Sequence, residues 1–242
     1  MPLTPSHAAA AWPLRRLAPW LPLDALVLGT MSPDFEYILR LRVYGRFGHT
    51  PLGLLLFCLP AGLIACAVFR ARVRPALVRH LPAGMRPAPA QHGWLASAAA
   101  VVAGAVTHVV WDGFTHGSAT FVVRTPMLRD AVAGRFPVYT VLQHLSTLAG
   151  AVAVALWVRA WIHSHPPEAR RYDPGARAKA LRVACGILTV GAFSGIANGA
   201  QRAHAGMAPA LGYAAVGGMA GLAAALTAYG IASQRNLRRP AP

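Results

Sequence analysis

The chain has 242 residues, of which 55% are hydrophobic and only 12% charged. A soluble domain carries about a quarter charged residues, so this composition excludes an ordinary water-soluble globule and points to a bilayer. The formal net charge of +16 would by itself suit a nucleic-acid partner, but its distribution along the chain argues otherwise.

At the N-terminus, Thr4-Pro5-Ser6-His7 reads as a helix start, with Thr4 or Ser6 able to cap and Pro5 suited to the first turn. Ala8–Leu17 is expected to form a short amphipathic helix. Leu21–Met31 is apolar but, at about 1.5 Å per residue, too short to cross a hydrocarbon core of about 30 Å. An interfacial or re-entrant hairpin is therefore expected over residues 1–48, leaving Ser32-Pro33-Asp34 at the surface near His49. A sixth crossing is the alternative, and it would part His7 from the other candidates.

Five apolar runs follow: Thr50–Phe69, Gly93–Trp111, Val138–Val158, Leu181–Gly199 and Ala208–Ser233. They lack the alternation of a lipid-facing barrel, so they are read as helices. The expected fold is all-α, a polytopic integral membrane bundle of about five transmembrane helices plus the N-terminal segment. A single domain is expected over 1–242, with a site borne on 50–161, packing helices over 181–233 and a basic tail at 234–242. In the packing helices Gly191, Gly195 and Gly199 recur every four residues, as do Gly217 and Gly221. Such spacing lets helices approach closely, with Asn198 expected as an interhelical hydrogen-bonding group. The Pro/Ala/Arg-rich loop Pro75–Gln91 is expected to be flexible. Cys58, Cys66 and Cys185 fall in apolar runs without CxxC spacing, so no disulfide framework or thiolate zinc site is expected.

Basic residues between successive runs, counting Arg182 at the very start of the fourth run with the loop before it, number 5, 3, 6 and 1, with 3 in the tail. This alternation is the positive-inside pattern, and it replaces nucleic acid with the lipid bilayer as the expected partner. It also sorts the histidines, although only Arg and Lys were used to set it. His49, His108, Asp112, His116 and His144 fall near the outer interface. His80, His92, His163 and His165 fall on the cytoplasmic side.

On a helix, His108 and Asp112 are four apart and share a face. Ionisable groups at the edge of an apolar span are costly, which makes them functional candidates. Imidazoles and carboxylates without thiolates suit Zn²⁺, Mn²⁺ or Fe²⁺, and a cation so held activates water near neutral pH. Other readings stand beside this one. His49-Thr50-Pro51 can simply cap the following span, His108 and Asp112 can satisfy each other, and Gly113 can end the helix before His116. Without a metal, the same groups suit a proton relay.

Ser6-His7, Ser32-Pro33-Asp34, Gly48-His49-Thr50 and His108-xxx-Asp112, in that order, resemble the bacterial membrane family known as domain-of-unknown-function family 4184. The layout over residues 1 to 120 is more distantly similar to the YdjM-type membrane-bound metal-dependent hydrolases. Both groups are regarded as relatives of zinc-dependent phospholipase C. The resemblance implies His7, Asp34, His49, His108 and Asp112 as metal ligands, with Thr115 matching the pattern's last threonine. One departure is Arg46, which stands where the hydrolase pattern has a histidine.

The expectation is a membrane-bound metal-dependent hydrolase of the bacterial cytoplasmic membrane, with an extracytoplasmic site. A divalent transition metal, zinc first, would serve a phosphoester or lipid-linked substrate, assisted by His116 or His144 as acid/base. The alternatives are an ion- or proton-coupled transporter and a non-enzymatic membrane scaffold.

Overall fold

The computed structural model describes residues 4–87, 92–132, 134–171 and 174–235. Arg238 and Arg239 of the expected basic tail, and the end of the loop before His92, lie outside them. The described chain is all-α apart from one antiparallel pair, Ala131–Val132 with Phe136–Pro137. Five helical stretches are long and apolar enough to cross a membrane: Pro51–Val78, Trp94–Arg124, Val138–His163, Gly175–Ala200 and Met207–Gln234. These match the five apolar runs, each extended at its C-terminal end and the last two also at the start. The architecture is that of a multi-pass, all-α membrane protein.

Two compact units are drawn from the chain: 1–36, 46–64 and 91–159 form one, and 37–45, 65–90 and 160–242 the other. In the first, a 3₁₀ helix (Thr4–Ala10) leads into α1 (Ala11–Leu17) and α2 (Leu23–Met31). Pro22 precedes α2 in an extended conformation, and its carbonyl accepts the Leu26 N–H. The apolar α2 is buried against α5 (Trp94–Thr115) rather than spread on a surface. Glycine makes that contact possible. A Cβ on Gly29 would lie 2.5 Å from the Val101 carbonyl oxygen, and one on Gly104 would lie 2.6 Å from Leu26 O and Thr30 N. α3 (Phe35–Arg40) follows the Ser32–Asp34 turn.

α4 (Pro51–Val78) begins with Thr50 as its cap, the hydroxyl accepting the Gly53 N–H at 2.9 Å. Two stretches of α4 widen to π-helix, Leu54–Cys58 and Phe69–Val73. Each lies just ahead of a proline, Pro60 and Pro75, which has no N–H for the carbonyl four residues back and whose ring crowds that carbonyl. For Pro75 that carbonyl belongs to Ala71, and Gln234 Nε2 donates to it instead, at 2.5 Å. The remaining helices are α6 (Thr120–Arg124) and α7 (Val138–His163) in the first unit, then α8 (Pro174–Ala200) and α9 (Met207–Arg235) in the second.

The second unit is built on the glycine faces of α8 and α9. A Cβ on Gly195 would lie 2.9 Å from Ala214 O, and one on Gly217 would lie 2.6 Å from Ser194 O. Asn198 Nδ2 donates to Tyr213 O at 2.7 Å and to Leu41 O at 3.3 Å, the structural role its position suggested. Part of the loop expected to be flexible is built instead. α4 runs through Val78, Met85 is buried, and Arg86 donates to the carbonyls of Leu81 and Arg79. Arginine there satisfies helix-end carbonyls that Pro/Ala-rich sequence leaves open.

Candidate metal centre

His108 sits in the last third of α5 and is completely buried. Its Nδ1 lies 2.7 Å from the Thr30 carbonyl, which only accepts, so Nδ1 carries the proton and donates. In the neutral ring Nε2 then presents its lone pair to the centre. Asp112, one turn later, brings Oδ2 to 3.3 Å from that nitrogen. The helical spacing predicted this pair.

Asp34 comes from the turn after α2. It was expected at the surface, yet it is 1% exposed. The reason is tertiary: α2 packs on α5 through glycine contacts, and the turn carries the carboxylate inward with it. Asp34 Oδ1 lies 3.5 Å from His108 Nε2, and Oδ2 accepts the Thr4 hydroxyl at 2.5 Å. Thr4 was read as a helix cap, but its hydroxyl goes to this carboxylate. Burial pushes the Asp34 carboxyl upward, but without a cation a His108 protonated on both nitrogens, and then the Thr4 hydroxyl, hold it below its usual range.

His49 ends the 3₁₀ turn Phe47–His49, just before α4. Its Nε2 lies 3.6 Å from Asp34 Oδ1, 3.5 Å from Asp112 Oδ2 and 3.3 Å from His108 Nε2. The turn is clamped at Gly48. Its N–H donates to Glu36 Oε2 at 3.1 Å, and its carbonyl accepts the Cys58 thiol at 3.2 Å. A Cβ on Gly48 would lie 2.7 Å from Pro33 O, so the turn also packs tightly on the Asp34 segment. Glu36 escaped the sequence reading. Its signal was scarcity, since the chain has only 7 acidic residues, and this one follows Asp34 by two.

Asp34, His49, His108 and Asp112 each offer one ligand atom, and all four atoms lie within 4.8 Å of one another. This cluster can hold a metal ion. Buried Asp34 Oδ1 and Asp112 Oδ1 have no hydrogen-bond partner among the described residues. A buried carboxylate oxygen left so is costly unless a cation meets it, and of the two Asp34 Oδ1 is the one that converges with His49 and His108.

His7, from the N-terminal 3₁₀ helix, stands just outside these four. Its Nε2 is 3.4 Å from Asp112 Oδ1, the oxygen turned away from His108, and its ring stacks on His108 at 3.8 Å between centroids. Burial, and then the charge of His108 when that ring is protonated, pull its pKa down to about 4, so the ring is neutral at pH 7. His116 is aligned with Asp112 after all, because α5 continues past Gly113 to Thr115. Its Nδ1 lies 3.6 Å from Asp112 Oδ2 and 3.2 Å from the Asp112 carbonyl. Thr115 is fully buried behind it, bonded to the Trp111 carbonyl at 3.4 Å. His144 is different: it is exposed on the second turn of α7 and is not brought to the cluster.

A family model described as Domain of unknown function (DUF4184) matches residues 1–231. The chain belongs to this family. No curated protein and no solved structure matches it. In this DUF4184 member, each motif that carried the resemblance delivers a side chain to the same few ångströms.

Proposed function

We propose that this DUF4184 chain is a membrane-bound metal-dependent hydrolase of a bacterial cytoplasmic membrane, acting on a phosphoester or lipid-linked substrate at the outer face. The observation that carries the reading is the convergence of two imidazoles and two carboxylates, with Asp34 Oδ1 buried and unsatisfied among the converging atoms. Five of the separations among the four ligand atoms are 3.3 to 3.6 Å. Bonds of about 2.0–2.1 Å at tetrahedral angles give edges of roughly 3.3 Å, which favours zinc, and hydrolysis would require water to enter as a fifth ligand. Two ionised carboxylates and two neutral rings also balance one divalent charge.

A divalent cation here would supply Lewis acidity to water and to a phosphoryl oxygen. Hydrolysis places the water oxygen on phosphorus, breaks the bond to the leaving alcohol and delivers a proton to that alcohol. His7, on one oxygen of Asp112, and His116, beside the other, would carry that proton. The loop-to-loop alternation of basic residues supports the outer face.

Metal analysis of purified protein tests the reading. Near-stoichiometric transition metal is expected in the wild type, falling to background in His108→Ala and Asp112→Ala. Background metal in the wild type would overturn it and leave a proton or ion carrier built from the same residues.

A further inference from the structure

Beside the metal centre lies a cavity of about 490 Å³ whose walls include Ser6, His7, Trp111, Leu142, Leu145 and Gly150. Its size falls in the lower half of the roughly 300–1,000 Å³ usual for ligand sites. Two of its three walls belong to helices long and apolar enough to cross a membrane, α5 and α7. Its remaining hydroxyls are turned away: Thr107 donates to its own helix at Gly104 O (2.7 Å), and Ser146 to Gln143 O (3.1 Å). Trp111 and Leu145 remain exposed at its edge, an apolar margin suited to entry from lipid. His7 is both in the wall and 3.4 Å from Asp112 Oδ1, so this one ring stands between the apolar space and the charged centre.

We infer that this cavity receives the hydrocarbon chain of a single-chain phosphate amphiphile whose head lies at His7 and the metal centre. The assignment of the head rests on the hydrolase reading, whereas that of the chain rests on the cavity alone. Largely apolar walls, with the Thr107 and Ser146 hydroxyls bonded to their own helices, reward a hydrocarbon and leave Ser6 and His7 as the polar end. The modest volume suits one chain better than two.

The test uses the full chain in phosphatidylcholine nanodiscs with hexadecyl phosphate carrying a mid-chain diazirine. After photolysis, adducts should concentrate on Ala9–Ala10 and Leu142–Gly150. Unlabelled hexadecyl phosphate should compete and ethyl phosphate should not. Ala149→Trp, which fills the cavity, should lose the adducts while keeping wild-type metal content. Ala10→Leu is a milder filling variant should the first fail to fold. Adducts spread evenly over all lipid-facing helices, adducts unchanged by both variants, or equal competition by ethyl phosphate would overturn the inference. Background metal with saturable labelling would sink the hydrolase reading and leave the chain site. Normal metal with unsaturable labelling would do the reverse.

Discussion

The two units use glycine for the same purpose and to different ends. In the second, Gly195 and Gly217 let α8 and α9 touch, and the polar group at that contact, Asn198, finds backbone carbonyls and is satisfied. In the first, Gly29 and Gly104 let α2 touch α5, but the contact carries polar groups that remain partly unsatisfied. Close packing there brings Thr30 O to His108 and Asp34 to the centre. A satisfied contact only holds helices together. An unsatisfied one holds them together around something.

The sharpest way to break that contrast is to place a side chain at each contact. Gly104→Leu should destabilise by about 1–3 kcal/mol through overpacking and should also lose metal, because Thr30 and Asp34 move with α2. Gly195→Leu should cost a similar amount in thermal unfolding while folded protein keeps its metal. Equal metal loss in both would remove the distinction.

A smaller effect is expected at Glu36. Glu36→Ala leaves the Gly48 N–H without this acceptor, so His49 should be held less well and metal affinity should weaken about 10–100-fold. Glu36→Gln, which keeps an acceptor oxygen, should restore most of it in a chelator competition. Failure of the glutamine to rescue would make Glu36 a charge in the site rather than a clamp on the turn. The smallest effect belongs to the satisfied contact. Asn198→Leu should cost about 0.6 kcal/mol, typical of hydrogen bonds between membrane helices, with no change in metal affinity.

Parts of the centre were legible because they follow from local periodicity. His108 and Asp112 share a helix face by spacing alone. The alternation of basic residues put His49 at the same end of its span as Asp112, and they lie 3.5 Å apart. Asp34 was harder, because a Ser-Pro-Asp turn looks alike on a surface and in a core. Its burial depends on Gly29 and Gly104 meeting across two helices, and sequence does not announce which glycines face each other. Thr4 has the pattern of a cap, and only the folded N-terminal segment offers its hydroxyl a carboxylate 30 residues away.

Class, spans and candidate ligands can be read along the chain, because burial of long apolar runs and helical spacing are properties of neighbouring residues. Tertiary structure decided the shell: that Asp34 is buried, that His108 shows Nε2 inward because Thr30 accepts from Nδ1, and that His116 joins Asp112 while His144 stays outside. Coordination demands positions within a fraction of an ångström. Only contacts between distant segments set positions that finely.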